Sequence, residues 1–137
     1  KGGGHNHRLE LSAGVMIKDN HTINNNTINI QQKLKKLKNK IPIQIEIDNI
    51  KQITQENVEF VDAFLLDNMS PDRIKKCINK INRLNKKSHK IFIEISGGVT
   101  LKNISQYNIE GICGISIGAL THKATSKDIG LDITPYK

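Results

Sequence analysis

Five short runs rich in β-branched residues recur along this chain, each followed by a segment of polar or helical spacing. They fall at 15–18, 43–47, 63–66, 91–95 and 114–117, and the second alternates isoleucine with Gln44 and Glu46. Period-2 apolar runs of this length read as strands. Between them, residues 28–39 carry apolar side chains at helical spacing. Ser70 and Pro71 form a helix start before Ile74, Ile78, Ile81 and Leu84 on one face. A short helix is expected around 50–58, and Thr100 is placed to cap another over 101–107. The strand ends near Lys18, Glu46, Asp67, Ser96 and Gly118 are 28, 21, 29 and 22 residues apart, about one βα unit each. The fold class is therefore α/β, a partial (β/α) barrel of about five βα units. Five strands do not comfortably close such a barrel. The chain also opens on Lys1 to Gly4 with no preceding element. We therefore expect 1–137 to be a single barrel-type domain, incomplete at its N-terminus and drawn from the C-terminal part of a longer protein.

Composition narrows the function classes. With 36% hydrophobic and 25% charged residues, the chain reads as a soluble globular protein. No apolar run approaches the length of a membrane span, and the glycine-rich start lacks a signal-peptide core. Cys77 and Cys113 show no CxxC pattern and read as reduced, structural cysteines of a cytosolic protein. The net charge of +8 points toward nucleic acid. Its placement does not: the lysines of 33–40 and 75–87 surround apolar stripes, as solvated helix faces do. Aromatics are 4% and tryptophan is absent, which leaves few stacking platforms for single strands. A basic RNA-binding module is thus disfavoured.

Polar and small residues gather at the C-terminal ends of the strands, where parallel α/β folds place their active sites. The cations there are Arg8, Lys18 and His7. Arginine forks two hydrogen bonds to a carboxylate and lysine supplies a point charge. Lys18 ends an otherwise apolar run, whereas Arg8 taken alone reads equally as a surface cation. Glu46 and Asp67 end apolar strands and should point into the barrel mouth. Together they could hold Mg²⁺ through waters, or sugar hydroxyls. A salt bridge to Lys18 is the other reading. Ser96, Gly97 and Gly98 follow a strand and precede a helix start, and Gly118 with Ala119 forms a second such loop. Glycines let amides approach a phosphate, although a glycine turn is usually only a turn. His5, His7, His21, His89 and His122 show no zinc-binding spacing, and no nucleophile elbow is present.

Several fragments occur in fixed order: GGGHNHR at 2–8, IKDNH at 17–21, QIEID at 44–48, LLDN at 65–68, SGG at 96–98 and IGALTH at 117–122 followed by DIGLD. In sequence and order they resemble the C-terminal catalytic part of the quinolinate phosphoribosyltransferase (nicotinate-nucleotide pyrophosphorylase) family. The resemblance spans nearly the whole chain. It implies that His7, Arg8 and Lys18 line a pocket for the quinolinate carboxylates. It implies that Glu46 and Asp67 contact the ribose and the Mg²⁺ of phosphoribosyl pyrophosphate. Ser96, Gly97, Gly98, Gly118 and His122 would lie in the phosphate-binding loops. The implied reaction transfers the phosphoribosyl group to the pyridine nitrogen of quinolinate, releasing pyrophosphate and CO₂ and giving nicotinate mononucleotide, a step of NAD synthesis. A cytoplasmic homodimer or higher homo-oligomer is the implied setting.

Two departures stand out. Gln44 occupies a position where the family often has glutamate, and Lys123 follows His122 where serine is common. Family members also carry an N-terminal α/β sandwich domain and an Arg-Lys-Thr strand motif that supply further basic residues. We therefore expect little activity from 1–137 alone. A related phosphoribosyltransferase with another substrate and a non-catalytic remnant or interaction module are the competing readings. The pair Arg8 and Lys18, suited to a dicarboxylate, favours the first reading over the related enzyme. The retained Lys18, Glu46, Asp67 and SGG speak against decay.

Overall fold

The computed structural model of the protein describes residues 2–6, 10–18, 36, 40–86 and 90–131. Five parallel strands pair in the order of the sequence: β1 (Val15–Ile17), β2 (Ile43–Ile47), β3 (Ala63–Asp67), β4 (Phe92–Ser96) and β5 (Gly114–Ser116). This consecutive parallel order is that of a (β/α) barrel, and the α/β class expected from the sequence is the one found. The strand limits differ from the sequence reading by a residue or so; the helical stretch expected at 28–39 lies outside the described residues except for Lys36.

Alternation along the strands gives the sheet two unlike faces. One carries Ile17, Ile43, Ile47, Phe64, Leu66, Ile93 and Ile95, all buried in one apolar cluster. Against this cluster pack α1 (Gln55–Phe60), through Val58, and α2 (Pro71–Leu84), through Ile74, Cys77, Ile78 and Ile81. Each fully buried aliphatic or aromatic side chain here contributes roughly 1.5–3 kcal/mol. The opposite face carries Gln44, Glu46, Leu65, Asp67, Glu94, Ser96 and Ser116, the mostly polar set of the barrel interior. The start of β2 is fixed by Asp62: its Oδ2 accepts from the Ile43 amide at 2.9 Å, and its own amide donates to the Ile43 carbonyl.

Three helix expectations need correction. The helix expected at 50–58 is two pieces, a 3-10 turn over Ile50–Gln52 and then α1. Asn49 and Thr54 each cap the segment that follows, so two starts replace one; Thr54 Oγ1 accepts from the Asn57 amide at 3.2 Å. The helix expected at 101–107 is a turn followed by a 3-10 segment, Ile104–Tyr107. Asn103 takes over there: its Oδ1 accepts from the Thr100 amide at 2.7 Å and its Nδ2 donates to the Gly98 carbonyl at 2.9 Å. Such side-chain bonds offer the backbone an alternative to the helix. In α2, Pro71 occupies the first turn as expected, but the Ser70 side chain makes no capping bond.

Cys77 is fully buried, with its Sγ 3.6 Å from Met69 Sδ, whereas Cys113 is half-buried. Burial pushes the Cys77 thiol above its ordinary value, while the charges of Arg73 and Lys80 pull it back in part. The thiolate is therefore disfavoured in the folded state. This contribution to stability is present below the thiol's ordinary range and is lost as pH rises through the folded value. We expect iodoacetamide to label Cys113 at least roughly tenfold faster than Cys77 near pH 8, read by mass spectrometry. Equal rates would contradict a closed core.

Candidate active site

The C-terminal ends of β1–β4 bring four of the expected residues together. In register, Glu46 on β2 lies level with Leu65, Glu94 and Gly114, and Asp67 lies level with Ser96 and Ser116. Lys18 follows the last residue of β1 and reaches across to β2, its Nζ 3.1 Å from Glu46 Oε2. The side chains of this pair are 48% and 20% exposed, so the bridge stays open to exchange with a ligand. In water-exposed settings such a pair adds little to stability, about 1 kcal/mol or less. Its place at the strand ends is thus the more informative property. The salt bridge to Lys18 that was the other reading of Glu46 is formed.

Asp67 stands one strand over and one layer up from Glu46. Strand spacing and rise put their backbones roughly 8 Å apart, a span that a furanose ring or a hydrated cation can bridge. Asn68 Nδ2 donates to Asp67 Oδ2 at 2.8 Å and fixes the carboxylate's orientation. Among the described residues no group of three or more His, Cys, Asp or Glu side chains could hold a metal ion. Two carboxylates alone match the way Mg²⁺ is usually bound, through one or two carboxylates with waters and substrate phosphates completing the shell.

Two cations of α2 hold the turn after β2. Arg73 Nη2 donates to the Asp48 carbonyl at 2.7 Å and Lys80 Nζ to the Ile50 carbonyl at 2.9 Å. They position the loop that leaves Glu46.

The turn after β4 explains its own glycines. Gly97 and Gly98 have φ of 85° and 66°, in the left-handed region. A Cβ on Gly97 would overlap the Asn68 carboxamide, so no other residue fits without moving Asn68. The Asn68 amide donates to the Ser96 carbonyl at 2.9 Å, which ties the ends of β3 and β4 together. Gly98 is exposed with open space beside it. We expect Gly97→Ala to destabilise the chain by about 1–2 kcal/mol, measured by urea unfolding, and to weaken any ligand that uses Asp67, because Asn68 must move. An unchanged midpoint would show that the turn relaxes freely.

Gly118 behaves otherwise. It has φ −60° and starts the single turn α3 (Ala119–His122), a conformation open to any residue. Its carbonyl accepts from the His122 amide at 2.9 Å, which folds exposed His122 back over the turn. The glycine is therefore not demanded by backbone conformation. His7 and Arg8 lie outside the described residues.

Sequence reasoning passed over Glu94. It is buried, 5% exposed, and sits on the polar face in the same layer as Glu46. The signal was present in the alternation of 91–95, which puts Glu94 opposite the isoleucines. The best-formed cavities of the described residues lie elsewhere. One of about 830 Å³ runs between the C-terminal half of α2 and the 108–111 turn, near the start of β4 and away from the mouth. It brings together no carboxylate pair.

The sequence matches the profile of the quinolinate phosphoribosyl transferase C-terminal domain over residues 1–132. The chain belongs to this family. It is 34% identical to a probable carboxylating nicotinate-nucleotide pyrophosphorylase of Methanocaldococcus jannaschii, over 99% of this chain and 49% of the relative. The Bacillus subtilis protein of the same description is also 34% identical, with 97% and 45% covered. Among solved structures, the nicotinate-nucleotide pyrophosphorylase of Ehrlichia chaffeensis is 40% identical, with a TM-score of 0.79 and coverage of 97% of this chain and 47% of that one. The Francisella tularensis enzyme is 28% identical with a TM-score of 0.74 and coverage of 93% and 43%. The chain thus spans about half the length of the relatives it matches. No helix of the described residues is long and apolar enough to cross a membrane.

Proposed function

We propose that this chain carries the phosphoribosyl pyrophosphate site, and part of the quinolinate site, of a carboxylating nicotinate-nucleotide pyrophosphorylase. The supporting observation is the Lys18–Glu46 pair set beside Asp67 and the glycine turn at the strand ends. Lys18, with His7 and Arg8, binds the two carboxylates of quinolinate and aims the ring nitrogen. The incoming carboxylate competes with Glu46 for the Lys18 ammonium and releases Glu46 toward the ribose. Glu46 and Asp67 hold the ribose hydroxyls. Ser96, Gly97, Gly98, Gly118 and His122 receive the phosphate ends. Mg²⁺, held by Glu46 and Asp67 together with the pyrophosphate, would neutralise the charge of the leaving group when bound.

The reaction breaks the bond from ribose C1 to pyrophosphate and forms one from C1 to the pyridine nitrogen. The ring carboxylate next to that nitrogen then leaves as CO₂, and a proton takes its place. Holding the reactants in line supplies much of the barrier reduction. We place the protein in the cytoplasm as a homodimer or higher homo-oligomer. The test is phosphoribosyl pyrophosphate-dependent release of CO₂ from carboxyl-labelled quinolinate by the protein carrying this chain. Release that Lys18→Met abolishes supports the reading. Absence of release with a folded wild type, or transfer to nicotinate instead of quinolinate, contradicts it.

A further inference from the structure

We infer that Glu94 is a positioning residue that sets the place of the 118–122 turn relative to Glu46 and Asp67. This inference rests on the proposed phosphoribosyl pyrophosphate site. Glu94 is the single buried charged residue among those described, and the mechanism above does not use it. Its carboxylate links three strands. Gln44 Nε2 on β2 donates to Glu94 Oε2 at 2.7 Å, and the Ser116 hydroxyl on β5 donates to Glu94 Oε1. The first contact crosses β3. It is possible because the residue of β3 level with Gln44, on the same face, is Ala63. A larger side chain there would stand between the two. On the other flank, Glu94 is level with Gly114, where a Cβ would press against the Phe92 ring.

Ser116 ends β5, two residues before Gly118. The Glu94 carboxylate therefore fastens the last strand, and the turn it leads into, to the strand that carries Glu46. Gln44 fits this task better than glutamate would. Its amide donates to Glu94, whereas a carboxylate at 44 would face Glu94 with like charge unless a proton or cation intervened. The substitution Glu94→Gln could keep both contacts, its amide oxygen accepting from Gln44 and its amide nitrogen donating to Ser116 Oγ. Alanine keeps neither and strands two polar partners.

The test uses the 137-residue chain with Gln44→Ala, Ser116→Ala, Glu94→Ala and Glu94→Gln. Two readouts are followed: the amide resonances of 118–122 without ligand, and the affinity for phosphoribosyl pyrophosphate with Mg²⁺. We expect Ser116→Ala and Gln44→Ala to shift those resonances and to weaken binding about tenfold, since small misplacements at a site are costly. Glu94→Gln should stay close to wild type. Glu94→Ala is the variant at risk of not folding, and the two milder alanine variants carry the test if it does. Resonances and affinity unchanged in Ser116→Ala and Gln44→Ala, with only a lower melting temperature, would overturn the inference. So would equal damage from Glu94→Gln and Ser116→Ala. A wild type that binds no phosphoribosyl pyrophosphate would sink the functional reading instead, while the resonance shifts would still decide the role of Glu94.

Discussion

We expect Asp67→Asn, in the protein carrying this chain, to lower kcat/KM for the proposed phosphoribosyl transfer by about 10²–10³-fold, with a melting temperature close to wild type. The size follows from losing one fixed charge where charge develops in the transition state. Stability is spared because asparagine keeps an oxygen to accept from Asn68 Nδ2, the contact that orients the side chain. The residue is half-buried at the end of β3, so no cavity forms. Steady-state kinetics alongside a thermal melt checks both halves. A loss below about threefold would remove Asp67 from the reacting site, since one developing charge is worth far more. A large fall in melting temperature would make its role structural.

Phe64→Ala should cost about 3–5 kcal/mol and leave little folded chain at physiological temperature. Phe64 is fully buried in the central strand, on the helix-facing side, next in sequence to Leu65 of the opposite face. Truncation removes its buried surface and opens a void that surrounding isoleucines fill only in part. Urea unfolding of the two proteins measures the difference. A cost under about 1.5 kcal/mol, the range of volume-conserving swaps, would mean that the cluster collapses around the gap. The same strand therefore carries the largest expected stability effect at Phe64 and the largest expected activity effect at Asp67, on its two faces.

β2 and β4 were legible because isoleucine alternates with polar residues along them, and β1 and β3 as short apolar runs. Their order followed from repeat spacing near one βα unit. Lys18, Glu46, Asp67 and Ser96 were legible because each closes an apolar run. The helices at 50–58 and 101–107 were not, because Asn49, Thr54 and Asn103 impose their own local hydrogen bonds on short segments. Glu94 was passed over for a different reason. A glutamate between isoleucines looks the same in sequence whether its face meets solvent or a buried network, and only the crossing over Ala63 separates the two. Gly118 has φ −60°, a conformation open to any residue, so its backbone alone does not explain the glycine. The necessity of Gly97, by contrast, arises from the Asn68 side chain, which belongs to the neighbouring strand's end.

The central claim is that this chain itself holds the phosphoribosyl pyrophosphate site. Calorimetric titration of the 137-residue chain with phosphoribosyl pyrophosphate and Mg²⁺, beside Asp67→Asn, tests it most directly. The account predicts saturable binding by the wild type that falls at least tenfold in the variant, a difference of about 1.4 kcal/mol. Folded wild-type chain that shows no binding, or binding that Asp67→Asn leaves unchanged, would contradict it.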